Sequence, residues 1–443
     1  MKQSDVKIRQ VEIEFIPVNL RLPLKFGAEV ITSITCLRVK MSVENKLGNT
    51  AYGYGETPLS VGWAWPSPSL SFLERENQMI AFCRKLVPRW QGCNLSGHAM
   101  EIGHAFNERT LPEVDGDIPH LVQLISNSAF DLALHDAYGK VNDISSYHSY
   151  NSKYMNQDLE YYLEDGRFAG KYPEDYFVKK PLLKLPVWHL IGGKDLLTEA
   201  ELTGKEPQDG YPVTLTEWIK RDGLKCLKIK LTGSDSQWDY QRMLAVGKLA
   251  VEYKINYLSP DFNCLVQSTQ YVNDILDKLM LEAPEIYGKI LYVEQPFPYD
   301  LEANRIDVRS VSSRKPLFMD ESAHDWHFVK LGYALGWTGV ALKVCKTQTG
   351  ALLSAAWAKE YGMTLMVQDL TNPMLAMIPH VQLASRVGTI MGVECNAPQF
   401  YPDASKIQEK NHPYLYRRRN GVVDLSALGD RGLGYRDEDL PGI

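Results

Sequence analysis

Two patterns of hydrophobic and polar positions divide the chain. Residues 11–16 and 35–43 alternate apolar and polar side chains, which predicts half-buried β-strands. Gly48-Asn49 is typical of a hairpin turn, and Leu24-Lys25-Phe26-Gly27 is typical of a loop. From about residue 69 to residue 139 the hydrophobic period becomes that of a helix. A small antiparallel sheet followed by helices predicts an α+β unit in the first part of the chain.

From residue 186 onwards, short β-rich runs that end in polar residues alternate with amphipathic helical stretches. The eight predicted strands are 187–191, 226–230, 255–261, 290–294, 316–320, 339–343, 364–369 and 392–394. Their spacing fits one strand, one crossover helix and two short loops per unit. Eight such units predict a (β/α)8 barrel with its active site at the C-terminal strand ends. A doubly wound open sheet is the competing architecture, and the lack of a glycine-rich phosphate motif weakens it.

The segment between these two parts fits neither pattern. Residues 141–185 contain seven tyrosines and many charged residues. We interpret them as a connecting insertion that forms a surface loop or a subunit contact, in preference to an active-site lid.

Composition and charge exclude several classes of partner. The 443 residues carry 48 Lys and Arg against 54 Asp and Glu, a formal net charge of −6. Without a basic footprint we expect no nucleic acid partner. The chain shows neither a long apolar run nor a signal-peptide core, so we expect no membrane partner. Seven scattered cysteines without a CxxC spacing predict a cytoplasmic protein that has no disulfides and no structural zinc.

Charged residues end several of the predicted barrel strands. Strand 2 ends in Lys228 and Lys230, which the period of two places on one side. Strands 3, 4 and 5 end in Asp261, Glu294 and Asp320. Three carboxylates that converge on one barrel mouth repel one another unless a cation lies among them, and oxygen ligands suit Mg²⁺. Zinc is disfavoured because no His or Cys shares the constellation.

Lys343 ends strand 6, four strands away from strand 2. Lys230 and Lys343 are therefore predicted to face each other across the barrel axis. A nearby dication and Lys228 would lower the pKa of a lysine towards that of a working base. Mg²⁺ would make a bound carboxylate a workable carbon acid by stabilising the enediolate formed on proton loss. These residues indicate an enzyme that removes the proton α to a substrate carboxylate.

Two other hypotheses stay open at this point. In a Schiff-base barrel, Lys230 or Lys343 would attack a substrate carbonyl, but the three converging carboxylates would then have no role. Alternatively, the protein has lost its catalytic activity and keeps the fold as a binding or assembly module. The complete set of charged strand-end residues argues against this hypothesis.

Five motifs in order resemble those of the enolase superfamily and, within it, the mandelate racemase/muconate lactonizing enzyme family. They are Lys-x-Lys at 228–230, Asp-x-Asn at 261–263, Tyr-Val-Glu-Gln-Pro at 292–296, Met-Asp-Glu-Ser at 319–322 and Ala-Leu-Lys-Val-Cys-Lys at 341–346. The resemblance implies an α/β fold with a TIM-type barrel over residues 186–414. It also implies an α+β capping domain over residues 1–140, to which the C-terminal tail 415–443 returns.

The same resemblance implies the roles of the site residues. Asp261, Glu294 and Asp320 would ligate one Mg²⁺, which Mn²⁺ could replace. Lys230 and Lys343 would form the acid/base pair, with Lys228 orienting or tuning its neighbour. The implied partner is a small-molecule carboxylate, and we expect a homo-oligomer.

Departures from the family pattern narrow the hypothesis. Gln368-Asp369-Leu370 stands at the end of strand 7, where the mandelate racemase subgroup has a His, which indicates the two-lysine, muconate-lactonizing-like subgroup. Strand 8 carries Glu394-Cys395-Asn396 rather than the Asp-x-Asp of dipeptide epimerases, so a dipeptide substrate is not supported. The expected reaction is racemisation, epimerisation or cycloisomerisation, with a dehydratase-type lyase as the alternative. Candidate substrate contacts are Asn263, Asp369, Glu394, Asn396, Phe26 and Trp63.

Two further groups of residues have a plain structural interpretation. His324 and His327 follow strand 5 and are predicted to lie on a helix surface, with no metal role. Arg417-Arg418-Arg419 is predicted to be a solvated or cap-contacting run rather than an anion site.

Overall fold

The computed structural model describes residues 1–26, 29–67 and 69–440, but not the side chains of residues 25, 26 and 29. The N-terminal sheet is antiparallel, with strands β1 (Val6–Phe26), β2 (Glu29–Asn45) and β3 (Thr50–Pro58) in that order. The turn predicted at Gly48-Asn49 joins β2 to β3. The loop predicted from Leu24 is wrong in its first residues, because β1 continues to Phe26 and Leu24 pairs with Ile31. Gly27 lies outside the described residues.

Four helices follow this sheet: α1 (Val61–Ala64), α2 (Phe72–Gln91), α3 (Ala99–Ala105) and α4 (His120–Val141). Helix α4 is buried along nearly its whole length and packs directly on β3. Glycine permits this close approach, since a Cβ on Gly55 would lie 2.0 Å from the carbonyl oxygen of Ala129. The sheet and its covering helices form a hydrophobic core of their own.

The tyrosine-rich segment is a packed connection that contains α5 (Leu159–Leu163) and three short 3₁₀ turns. Tyr147, Tyr150 and Tyr162 are buried. Gln348 Nε2 lies 3.1 Å from the hydroxyl of Tyr147 and 3.4 Å from that of Tyr150. The expectation of a surface loop is therefore wrong for these three tyrosines, whose rings fill a core, and the hydroxyls of Tyr147 and Tyr150 also have a polar partner.

The second part of the chain is the predicted (β/α)8 barrel. Its parallel strands are β4 (Lys184–Ile191), β5 (Cys226–Lys230), β6 (Tyr257–Asp261), β7 (Val293–Glu294), β8 (Leu317–Met319), β9 (Gly339–Leu342), β10 (Thr364–Val367) and β11 (Val393–Glu394). Neighbours in sequence pair from β4 to β10, and β11 returns to pair with β4. The amide of Ile390 donates to the carbonyl of Leu365 at 2.7 Å and links β10 to the segment before β11.

Helices surround these strands. They are α6 (Leu215–Asp222), α7 (Ser236–Glu252), α8 (Thr269–Glu282), α9 (Pro284–Lys289), α10 (Arg309–Ser312), α11 (Trp326–Leu335), α12 (Gln348–Glu360) and α13 (Met377–Val387). Inside the barrel, Trp188, Cys226, Tyr292, Phe318 and Met366 form a buried cluster. This apolar floor lies below the charged strand ends, so the barrel is a packed core and not a pore.

The C-terminal part of the chain contacts both units. After α14 (Ala397–Phe400), α15 (Lys406–Asn411) and α16 (Pro413–Tyr416), strand β12 (Val422–Asp424) pairs antiparallel with β4. The amide of Leu433 then donates to Asp136 Oδ1 of α4 at 2.8 Å. The C-terminal segment therefore forms a hydrogen bond with α4, a helix of the N-terminal part of the chain. None of the helices in the described residues is long and apolar enough to cross a membrane.

Candidate active site

Strand register brings the predicted charged residues to one end of the barrel. Lys230 pairs with Asp261, and Asp261 pairs with Glu294. Asp320 follows the last residue of β8, and Lys343 follows the last residue of β9. Period-two alternation turns these side chains inward, above the apolar floor. The six charged residues predicted from the strand ends therefore share one small volume.

Lys228 lies below this mouth and joins several carboxylates. Its Nζ lies 2.5 Å from Glu294 Oε1, 3.2 Å from Glu394 Oε2 and 3.3 Å from Asp261 Oδ2. Burial alone would lower the pKa of Lys228, but the attraction of these carboxylates raises it well above its ordinary value. Lys228 thus bridges the acidic residues as a cation, and its predicted role of orienting or tuning Lys230 stays a prediction.

Lys230 lies closer to solvent and contacts the end of β6. Its Nζ lies 2.5 Å from Asp261 Oδ2 and 2.7 Å from Asn263 Oδ1. The backbone amide of Asn263 donates to Asp261 Oδ1 at 2.9 Å, and Asn263 adopts a left-handed conformation with φ of 53°. Asn tolerates this conformation better than most residues do. Asn263 therefore orients the Lys230–Asp261 pair from the loop after β6.

Lys343 and Lys346 have different surroundings. Lys343 Nζ lies 3.2 Å from Asp320 Oδ1, donates to the carbonyl of Asp369 at 3.1 Å, and lines the cavity at the barrel mouth. Lys346 Nζ instead donates to the carbonyl oxygens of Asp320 and Ala323, at 2.6 and 2.9 Å. Lys343 is thus the lysine that faces the cavity, and Lys346 secures the loop after β8.

Two glutamines that were not predicted as site residues hold the acidic groups in place. Gln368 Nε2 donates to Glu294 Oε2 at 2.5 Å. Gln295 Oε1 accepts from the amide of Asp320 at 2.7 Å and from the hydroxyl of Ser322 at 2.8 Å. Two signals were available, because each glutamine directly adjoins a strand-end acid and Gln295 lies within the Tyr-Val-Glu-Gln-Pro motif.

The candidate substrate residues of strands 7 and 8 are bonded to one another. Asn396 Nδ2 donates to Asp369 Oδ1 at 3.1 Å and to Glu394 Oε1 at 2.6 Å, while its Oδ1 accepts from the amide of Leu190. All the polar atoms of the Asn396 side chain thus have partners. This amide connects Glu394 of β11 to Leu190 of β4, where these two barrel strands pair. Asp369, Glu394 and Asn396 all line the cavity.

The capping domain forms the roof of the same cavity, whose volume is about 70 Å³. Leu24, Ile31, Ser60 and Trp63 line it from above. The indole Nε1 of Trp63 donates to Glu321 Oε1 at 2.8 Å, and the ring centre lies 5.3 Å from Lys343 Nζ. The side chain of Phe26, the other predicted cap contact, lies outside the described residues.

The three predicted metal ligands are buried and provide only oxygen donors. Burial and the neighbouring Asp261 and Asp320 raise the pKa of Glu294 well above its ordinary value, although Lys228 lowers it. Asp320 Oδ1 is buried and accepts no hydrogen bond from a described residue. Among the described residues no three His, Cys, Asp or Glu side chains already surround a common metal-binding point, and lysines contact the carboxylates. The all-oxygen donor set, in which Asp320 Oδ1 has an ion pair with Lys343 but no hydrogen bond, fits a hard divalent cation.

The two plain structural interpretations were wrong in part. His324 is buried ahead of α11, and neither of its ring nitrogens has a hydrogen-bond partner among the described residues. His327 does lie on α11, where its Nδ1 lies 3.2 Å from Asp325 Oδ1. Arg418 is buried and pairs with Asp222 at 2.9 Å, so this arginine is a core residue and not a solvated one.

Comparison with known proteins gives one family and a group of related structures. The family model described as enolase C-terminal domain-like matches residues 213–437. The chain is 24% identical over 254 residues to an aromatic dipeptide epimerase of Herpetosiphon aurantiacus. That match covers 56% of this chain and 66% of the relative, so the chain spans slightly less than two thirds of the length of the curated relative it matches.

The solved structures are similar over almost the whole chain. A muconate lactonizing enzyme from Mycobacterium smegmatis, complexed with muconolactone, has a TM-score of 0.65 and 17% identity, covering 97% of this chain and 96% of that chain. A dipeptide epimerase from Enterococcus faecalis V583, complexed with Mg and the dipeptide L-Leu-L-Tyr, has a TM-score of 0.64 and 17% identity. Its match covers 97% of this chain and 99% of that chain. At this level of identity the likeness concerns the fold.

Proposed function

Because the chain belongs to the mandelate racemase/muconate lactonizing enzyme family of the enolase superfamily, we propose that it is an isomerase acting on a small carboxylate. The proposed reaction begins with removal of the proton α to that carboxylate. The observation that carries the proposal is the register of β5, β6 and β7, which aligns Lys230, Asp261 and Glu294 beside Asp320 and Lys343.

Asp261, Glu294 and Asp320 are the proposed metal ligands. Bound Mg²⁺, or Mn²⁺ in its place, would supply Lewis-acid stabilisation of the negative charge that builds up on the substrate carboxylate. Other side chains of the protein hold these carboxylates in place without a metal ion. Lys228 offsets the repulsion among the acidic residues, and Gln368 and Gln295 fix Glu294 and Asp320 by hydrogen bonds.

Lys230 and Lys343 are the proposed proton carriers. Both side chains line the cavity, Lys230 beside Asp261 and Lys343 beside Asp320. A substrate held between them by its carboxylate would present one face to each lysine. One lysine would then take the α-proton, and return of a proton by the other would invert the centre. Cycloisomerisation needs no inversion, since an internal nucleophile of the substrate adds or leaves instead.

The charges around the cavity favour a substrate without a free ammonium group. Glu394 Oε1 accepts from Asn396 and Glu394 Oε2 from Lys228. Both oxygens of the strand-8 acid are therefore committed to the protein, whereas the lysines offer positive charge. The apolar roof of Leu24, Ile31 and Trp63 suits a hydrophobic substituent. We propose an N-acylated amino acid or a cyclic unsaturated acid as the substrate class.

The deciding experiment is a screen for α-proton exchange in D₂O with Mg²⁺ present. N-acyl amino acids, unsaturated cyclic acids, acid sugars and dipeptides are incubated with the protein, and deuterium incorporation is followed by ¹H NMR. Exchange in an N-acyl or cyclic acid that EDTA abolishes supports the proposal, and an unsaturated product with loss of a β-group assigns the lyase alternative. Absence of exchange in all classes, or a borohydride-trapped lysine adduct, contradicts the proposal.

A further inference from the structure

A second cavity lies outside the barrel wall, between the β1–β2 hairpin and the outer side of β4. Its volume is about 380 Å³. Most of its lining is apolar and comes from distant parts of the chain, namely Leu22, Val30, Ile191, Leu215, Trp218 and Phe400. A cavity of this size and lining accommodates a small organic molecule.

Strand alternation separates this outer cavity from the catalytic one. Leu190 and Gly192 line the catalytic cavity, whereas His189 and Ile191 line the outer one. Neighbouring residues of a strand point to opposite faces, so the wall of the barrel itself divides the two spaces. The outer cavity is therefore not an extension of the catalytic site.

Among the polar residues that line the outer cavity, His189 is distinguished by a buried ring nitrogen without a hydrogen-bond partner in the described part of the chain. The residue is 2% exposed, and its Nδ1 has no hydrogen-bond partner among the described residues. Burial, together with the charges of Arg418 and Arg221, lowers the pKa of His189 well below its ordinary value, so the ring is neutral. A neutral imidazole has one donor and one acceptor nitrogen, and buried polar groups of proteins are almost always hydrogen-bonded.

We propose that the outer cavity binds a small uncharged ligand, an aromatic or branched aliphatic group with one hydroxyl that bonds to His189. The cavity carries charges of both signs, from Lys194, Asp195 and Glu206, and Asp195 already accepts a hydrogen bond from the amide of Gly192, so the lining offers no site dedicated to an ion. The ring of Trp218 lies 5.6 Å from that of His189 and supplies a flat apolar surface beside it. The apolar lining binds the hydrocarbon part, and His189 selects the hydroxyl.

The test uses two probes that differ in a single group, 4-fluorophenol and 4-fluorotoluene, followed by ¹⁹F NMR titration of the full chain. Wild-type protein is expected to bind the phenol about five-fold more tightly, which is the effect of one neutral hydrogen bond. His189→Phe is expected to bind both probes with equal affinity. Absence of binding by wild-type protein, equal affinity for the two probes in it, or discrimination retained in His189→Phe overturns the proposal.

A cavity-filling variant locates the bound probe. Leu196 also lines the outer cavity, and Leu196→Trp is expected to weaken binding of both probes by at least ten-fold. Unchanged binding would place the probes elsewhere and overturn the proposal. If Leu196→Trp does not fold, Val213→Phe fills the same cavity and carries the same expectation. Binding of the probes requires no turnover, so this result is independent of the proposed reaction.

Discussion

Gln368 Nε2 lies 2.5 Å from Glu294 Oε2, and this bond joins the end of the seventh barrel strand to the carboxylate that ends the fourth. Gln368 also lies 3.2 Å from the hydroxyl of Tyr292 and 3.5 Å from Lys228 Nζ. The side-chain amide of Gln368 thus holds Glu294, a proposed metal ligand, in place. The same amide contacts Lys228 and Tyr292 beneath the site. Mutation of a residue that holds a metal ligand by a hydrogen bond lowers the metal affinity by about ten-fold or more.

Gln368→Leu is therefore expected to weaken Mn²⁺ binding by about ten-fold, because Glu294 loses the donor that fixes its second oxygen. The affinity is measured by electron paramagnetic resonance of free Mn²⁺, which requires no substrate. Gln348→Leu is the matched control, since Gln348 is also buried but bonds to Tyr147 and Tyr150. Equal Mn²⁺ affinity in the wild type and Gln368→Leu would exclude this positioning role.

The close approach of α4 to the N-terminal sheet makes a second prediction. Gly55→Ala would place a Cβ 2.0 Å from the carbonyl of Ala129, so the helix and the strand must separate. We expect a loss of about 3 kcal/mol in the free energy of unfolding, at the upper end for overpacking. Urea unfolding followed by circular dichroism measures it. Gly116→Ala, where no atom lies within 4 Å of the added Cβ, is expected to be nearly neutral.

The barrel could be predicted because each strand carries its own signal. β5 has the bounds expected from its sequence, Cys226–Lys230; β4 begins three residues before its predicted run, and each of the other six runs contains an observed strand. The signal is local: a β-rich run, a polar end and a helical stretch that follows. The long β1–β2 hairpin was missed in part because Leu24 becomes a strand residue only through its pairing with Ile31.

The roles of single side chains depended on partners far away in the sequence. Tyr147 and Tyr150 are core residues because Gln348, about 200 positions later, satisfies their hydroxyls. Asn396, predicted as a substrate contact, is fully bonded to Asp369, Glu394 and the amide of Leu190 across the barrel seam. The hydrophobic periodicity of the sequence does not predict such pairings, because the relative shift of neighbouring barrel strands determines which side chains come into contact.

A third prediction concerns stability at acidic pH. Burial, together with the charges of His327 and Arg109, lowers the pKa of His104 from 6.5 to about 4. The unfolded chain binds a proton below about pH 6.5 that the folded protein does not, so His104 makes the protein less stable as the pH falls towards 4. His104→Gln is expected to reduce the loss of unfolding free energy between pH 7 and pH 5 by about 2 kcal/mol. Urea titrations at the two pH values measure it, and an unchanged loss would contradict the prediction.

A fourth prediction tests the three carboxylates as metal ligands. Asp261→Asn, Glu294→Gln and Asp320→Asn are each expected to reduce Mg²⁺ affinity by at least 100-fold while the barrel remains folded, because the apolar floor lies beneath the site. Isothermal titration calorimetry measures the affinity and far-ultraviolet circular dichroism the fold. Glu108→Gln, a change of the same kind in the capping domain, is the control. Wild-type affinity in Glu294→Gln would remove that residue from the ligand set.

The last prediction concerns Lys230 and Lys343. Lys230 bonds to Asp261 on one side of the proposed metal ligands, and Lys343 contacts Asp320 on the other. If a substrate is held between them by its carboxylate, each lysine reaches the α-proton of one configuration only. Lys343→Ala is then expected to abolish turnover yet still allow deuterium exchange into one enantiomer, and Lys230→Ala to allow it into the other.

Chiral chromatography of the exchanged substrate with mass detection distinguishes the outcomes for these two lysines. Lys359→Ala is the control, because that lysine donates to two backbone carbonyls, those of Tyr176 and Val387, and is not among the described lining residues of the cavity; it is expected to keep exchange into both enantiomers. In a reaction with a single base, one of the two variants would lose all exchange and the other would keep its stereospecificity. Exchange into both enantiomers by either Lys230→Ala or Lys343→Ala would contradict the two-sided geometry. We expect the two-base result, because both side chains line one cavity from opposite sides of the same three carboxylates and both are primary amines able to carry a proton.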